Sequence, residues 1–279
     1  MTLTASQTYC LDEVRRLDHD RYLTALLLPA TKRADALALY AFNLEVARTR
    51  EIVSEPILGQ IRLQWWRETI AGIYDGTPRE HPVVEALSAA CHRNNLDRAA
   101  LEALIDAREA DLDDMPPPDL TALETYAGDT SGQLSELVMS TLEGRADARE
   151  AARKMGTAWG LVGLARSVAF HAQSQRMYIP DELLTAYEVE KRRVFDLKPT
   201  AGLDAAVRRI VERAEELLAD ARGKRVSISK SQRRGLLLAT LADRHIASMR
   251  NAGFDPFAFP AHDPAGPLRV TWNAWRGRY

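Results

Sequence analysis

Apolar residues recur every three to four positions along most of this chain, and strict two-residue alternation is nearly absent. That period puts side chains on one face of a helix and cannot build a sheet. Leu134, Leu137, Val138, Thr141 and Leu142 fall at i, i+3, i+4, i+7 and i+8, and Gly144 is expected to stop that helix. Val207, Ile210, Val211, Ala214, Leu217, Leu218 and Ala221 make a second stripe, with Asp204 as the expected N-cap and Gly223 just past the end. Leu58, Ile61, Trp65, Trp66, Ile70 and Ile73 make a third, ending near Asp75 and Gly76. Val83, Leu87, Ala90 and Cys91 are entered through Pro82 at a first helical position. Leu37, Tyr40, Ala41 and Leu44 continue the pattern upstream.

What interrupts the helices is local. Residues 225–229 read as extended, yet one strand has nothing to pair with. Residues 115–119 hold three prolines and residues 255–268 four, and both read as irregular. Neither resembles a linker between separate cores. The expectation is an all-α, single-domain helical bundle over residues 8–279, with a central cavity between facing helices.

Charge and cysteine content narrow the function. Lys and Arg total 37 against 39 Asp and Glu, so there is no basic excess of the kind that grips nucleic acid. Cys10 and Cys91 have no metal spacing and read as reduced thiols. Residues 1–7 are polar and carry no secretory signal, and the longest apolar runs, 25–29 and 236–239, are too short to span a bilayer. These features imply a cytoplasmic protein.

Several segments, in order, resemble the squalene/phytoene synthase superfamily. Leu26-Leu27-Leu28-Pro29-Ala30, then Lys32-Arg33, then Ala38-Leu39-Tyr40-Ala41-Phe42 are similar to its first helix pair. Leu63-Gln64-Trp65-Trp66-Arg67 resembles its tryptophan–arginine helix. Glu124-Thr125-Tyr126-Ala127 with Ser131-Gly132, and Met177-Tyr178-Ile179-Pro180, follow at family spacing. The resemblance implies the isoprenoid-synthase helical fold. It also implies a reaction in which Mg²⁺, held by carboxylates on two facing helices, draws off a diphosphate.

At those carboxylate positions the chain departs from the pattern. Where the family carries DDxxD or DxxxD, Ala47 and Arg48 stand in place of aspartates, and Glu51 alone keeps an acid. In the second motif Ser167 replaces the first aspartate, Phe170 and His171 replace the acidic pair, and Gly160 and Gly163 replace polar residues. Arg48 adds positive charge where cations would sit. The expectation is therefore no catalytic residue and no metal ligand, with Mg²⁺ required only if the chain is an active synthase after all. Asp111, Asp113 and Asp114 read as a hydrated acidic surface rather than a metal site. His171 at a former ligand position could be a base or a packed structural residue. His19 reads as surface, and His92 and His245 show no partner signal.

The resemblance assigns ligand binding to Arg33, Arg48, Arg166, Tyr40, Phe42 and Tyr178, since guanidinium groups pair well with phosphate. The alternative for the arginines, Arg50 included, is ordinary ion pairing with acids such as Glu45 or Glu51. Asn43, Ser54-Glu55, Asp111-Leu112-Asp113-Asp114 and the ending Trp275-Arg276-Gly277-Arg278-Tyr279 resemble the branch that contains the mitochondrial respiratory complex I assembly factor. That branch implies a non-catalytic assembly protein, peripheral on the inner membrane, with respiratory complex I subunits as partners. An active squalene- or phytoene-type synthase and an isoprenoid carrier remain as alternatives. The aromatic and basic mixture of Trp272, Trp275, Arg276, Arg278 and Tyr279 suits a membrane interface, a partner groove or packing on the bundle.

Overall fold

The computed structural model describes residues 3–53, 55–259 and 266–279; Ser54 and residues 260–265 lie outside them. In chain order the helices are α1 (Ala5–Leu17), α2 (His19–Leu26), α3 (Arg33–Ala47), α4 (Thr49–Ile52), α5 (Pro56–Tyr74), α6 (Pro82–Asn94), α7 (Arg98–Ala107), α8 (Leu120–Ala127), α9 (Gln133–Thr141), α10 (Ala146–Arg166), α11 (Val168–Gln173), α12 (Asp181–Ala186), α13 (Lys191–Phe195), α14 (Ala201–Gly223), α15 (Leu238–Asn251) and α16 (Gly266–Arg276). No strand occurs among the described residues. None of the described helices is long and apolar enough to cross a membrane.

Local chemistry sets the ends. Thr4 and Gln7 form a reciprocal capping box at the start of α1. Pro56 and Pro82 open α5 and α6 where a missing N–H costs nothing. Gly76 turns the chain after α5 with φ +78°. Three expected ends differ. Thr200, not Asp204, caps α14, because its side chain accepts from Leu203 N. Gly223 lies inside that helix, and Lys224 caps it. After α9 it is Glu143, at φ +59°, that takes the left-handed conformation, one residue before Gly144.

α10 runs through the centre, against α14, α9, α15 and a π-type turn at Gly128–Gly132. The approach is close because glycines make room. A Cβ on Gly156 would stand 2.5 Å from the Ser131 carbonyl oxygen. α3 packs between α1, α6 and α9, and most of its apolar residues are buried. Phe42 meets Trp66 of α5 edge-on at 5.4 Å, and both are buried. Each such side chain contributes about 1.5–3 kcal/mol relative to exposure.

On α5 the register is shifted from the expected one. The buried arc is Gly59, Leu63, Trp66, Ile70 and Ile73, while Leu58 and Ile61 are 44% and 61% exposed. Gly59 explains the shift, since the Leu112 side chain occupies the space a Cβ would fill. Residues 225–227 form a 3₁₀ turn rather than an extended run. Of the stretch expected to be irregular at 255–268, residues 260–265 lie outside the described residues, and residues 266–268 belong to α16.

Candidate functional site

A buried polar cluster joins the end of α3 to the segment that follows α10 and α11. Its centre is Asp111, on a 3₁₀ turn at Arg108–Leu112 directly after α7, and it is only 4% exposed. Asp111 Oδ1 accepts from Tyr126 OH at 2.6 Å and from Tyr178 OH at 2.8 Å. Its Oδ2 accepts from Arg108 Nη1 at 3.3 Å. Arg108 also donates to Tyr126 OH at 3.0 Å and to Asn43 Oδ1 of α3 at 3.3 Å. Arg176 Nη2 donates to the Asp111 carbonyl at 2.6 Å and to Tyr178 OH at 2.8 Å. The expected hydrated surface at Asp111 is thus a buried acid shared by two phenols and a guanidinium. Asp113 and Asp114 are exposed, and Asp114 pairs with Arg50 at 3.5 Å.

Electrostatics fix the protonation states. Burial and the Asp111 charge push the Tyr126 and Tyr178 phenols above their ordinary range, so both stay protonated and donate. Burial disfavours the Arg108 charge, but Tyr126 and Asp111 together hold its pKa above the usual value. The His171 ring lies 4.6 Å from the Tyr178 ring. Burial, helped by the Arg176 charge, lowers its pKa to about 4, so it is neutral at pH 7. A pocket of about 380 Å³ opens beside the cluster, lined in part by Met115, Pro116, Pro117, Ala122, Tyr126 and Arg176. Its proline rim is strapped down where Asp181 N and Glu182 N donate to the Pro117 and Pro118 carbonyls at 2.9 and 3.0 Å.

The degenerate motif positions divide into separate settings. Ala47 ends α3, and Arg48 pairs with Glu51 at 3.6 Å. Arg48 also lines a pocket of about 200 Å³ with Glu13, Glu45 and Arg62, and Arg62 is bonded to Glu45 at 2.5 Å. Ser167 is the C-cap of α10. Phe170 is 55% exposed, and His171 joins the Asp111 cluster through Tyr178. A Cβ on Gly163 would meet nothing within 4 Å, which marks open space along this face of α10.

The residues expected to bind a ligand are mostly engaged elsewhere. Arg33 donates to the Leu26 and Leu28 carbonyls and so closes the end of α2. Arg166 contacts His245 at 2.8 Å and Asp20 at 3.7 Å, and His245 Nε2 itself lies 3.2 Å from Asp20 Oδ2, two partners its sequence context did not announce. Tyr40 is buried beneath the Arg21 guanidinium, and Phe42 is core. Tyr178 alone of that set sits at the cluster and lines its pocket. Arg108 and Arg176 were missed. Only the helical phase that places residue 108 one turn before Asp111 could have pointed to the first.

A Mg²⁺ site of the family type does not suit these donors. Among the described residues no three His, Cys, Asp or Glu side chains converge to hold an ion. Both Asp111 oxygens are already committed to internal donors.

Comparison with known proteins agrees with the architecture. The sequence profile described as "Squalene/phytoene synthase" matches residues 14–276. A Bos taurus protein named "NADH dehydrogenase (ubiquinone) complex I, assembly factor 6" is 31% identical over 280 residues, covering 99% of this chain and 84% of its own. A phytoene synthase of Rhodobacter capsulatus is 24% identical over 219 residues, covering 78% of this chain and 65% of its own. A crystal structure of a dehydrosqualene synthase in complex with ligand superposes with a TM-score of 0.86 at 20% identity, covering 97% of this chain and 95% of that one.

Proposed function

This chain belongs to the squalene/phytoene synthase family, and we propose that it is a member without prenyl-transfer activity that serves the assembly of respiratory complex I. The observation that carries the reading is the fate of the acid positions. Ala47, Arg48, Ser167, Phe170 and His171 supply no carboxylate. The buried acid nearby, Asp111, is neutralised by the protein's own Arg108, Tyr126 and Tyr178. Ionising a diphosphate demands concentrated positive charge on the leaving group, delivered by ions that carboxylates hold in place. Here no carboxylate cage is offered, and Arg48 would repel a cation. Similarity to a named complex I assembly factor over 99% of this chain, at higher identity than to a phytoene synthase, supports the assembly role.

The test has two arms. Purified protein with farnesyl diphosphate, Mg²⁺ and NADPH is expected to release no pyrophosphate, and sustained release would refute the loss of chemistry. Affinity capture from cells of the source organism is expected to recover complex I subunits, and their absence would refute the assembly role.

A further inference from the structure

The exposed face of α16 is a built surface that the Asp111 cluster does not use. Leu268, Trp272 and Trp275 are 79%, 55% and 76% exposed. At i, i+4 and i+7 they form one stripe along the helix. The opposite side is docked. Val270 is buried, and Asn273 Nδ2 donates to Thr240 Oγ1 of α15 at 3.0 Å. Just beyond the helix Tyr279 is buried, and its OH donates to the Ala221 carbonyl at 3.1 Å. Packing therefore holds the stripe outward.

A cationic rim surrounds it. The Arg276 guanidinium lies 5.6 Å from the Trp272 ring centroid, and Arg269 follows on the same flank. Gly277, at φ +63°, turns the chain onto the segment after α14, where Arg233 Nη1 donates to the Gly277 carbonyl at 3.3 Å. That segment adds Arg225, Lys230 and the 94% exposed Val226. No Asp or Glu occurs in residues 221–242 or 266–279. Among the described residues, Arg225, Lys230, Arg269 and Arg278 have no carboxylate partner.

We propose that this surface seats the protein, α16 face down, on an anionic phospholipid bilayer. Indole rings favour the level between headgroups and acyl chains, and unpaired cations beside them meet lipid phosphates. An apolar stripe and a basic patch are the two signals that hold a peripheral protein reversibly. The exposed apolar residues of α5, Ile57, Leu58 and Ile61, lack such a rim, because nearby Arg62 and Arg67 are spent on Glu45 and on Asp106 at 2.7 Å.

The test is sedimentation of the full chain with vesicles of phosphatidylcholine alone, or with phosphatidylglycerol added. Binding is expected on the anionic vesicles, weak on the neutral ones, and reduced by added salt. The Trp272→Ser/Trp275→Ser pair and the Arg269→Glu/Arg276→Glu pair should each lower the partition at least about tenfold. Ile61→Ser should leave it unchanged, and circular dichroism should show all variants folded. The proposal is overturned if the parent chain stays in the supernatant with anionic vesicles, or if the tryptophan pair binds as the parent does. It is also overturned if Ile61→Ser loses as much, or if the parent self-associates in lipid-free ultracentrifugation through these tryptophans without binding vesicles. None of these outcomes depends on pyrophosphate release or on complex I capture.

Discussion

Replacing Asp111 by alanine removes at one stroke the acceptor for Tyr126 OH and Tyr178 OH and the carboxylate that faces the Arg108 guanidinium. The side chains of Asp111 and Arg108 are 6% and 13% exposed, so solvent cannot substitute for the lost partner. Breaking a buried ion pair from one side costs about 3–5 kcal/mol, because the remaining charge stays desolvated. For a chain of 279 residues that is a fall of roughly 5–9 °C in Tm. Asp111→Asn keeps the shape and one oxygen acceptor, and should cost about 2 kcal/mol. Equilibrium urea unfolding followed by far-UV circular dichroism gives both values at a shared m. Combining Asp111→Asn with Tyr178→Phe should reveal a coupling of about 1 kcal/mol or more. A cost below about 1 kcal/mol for Asp111→Ala, or strict additivity in that cycle, would show that the acid is solvated and the cluster carries no load.

His171 predicts a pH dependence of folding. Its folded pKa, about 4, lies below the unfolded value of 6.5, so between these limits the unfolded chain binds more protons. Its stabilising contribution is complete above about pH 6.5 and lost as pH falls towards 4; His171→Phe should flatten that slope by roughly 2–3 kcal/mol in a urea–pH series. Gly156→Ala puts a methyl against the Ser131 carbonyl and should cost about 1–3 kcal/mol, whereas Gly163→Ala meets open space and should gain about 0.5–1 kcal/mol, both read from thermal melts. Burial pushes the Cys10 and Cys91 thiols up to about 12 and about 11, so a thiol reagent at pH 8 should label neither until the chain is unfolded in urea.

Long helices with one-sided stripes were legible because burial follows the helical period. All the apolar residues expected on α14 are buried, as are those expected on α9. The packing face of α5 is only partly legible because a glycine within it has no hydrophobic signature, although Gly59 is what admits Leu112. The start of α14 is ambiguous in sequence because Thr200 and Asp204 are both competent N-caps, and the fold selects Thr200. Loss of the family acids was legible one position at a time. The replacement network was not, since its members come from residues 43, 108, 111, 126, 176 and 178, and only the bundle brings them together. Asp111 looked like surface because two exposed acids and a run of prolines follow it.

Catalysts keep polar groups waiting at their centres and give up stability for that readiness. The Asp111 assembly has the opposite character, with Arg108 Nε the one nitrogen of its guanidinium left without an acceptor. An interior that settles its own charge asks nothing of solution, so its order should be the same in chelator as in buffer. It also makes the route back to chemistry steep, because an aspartate restored at 171 would enter a cluster whose guanidinium and phenol donors are already shared with Asp111.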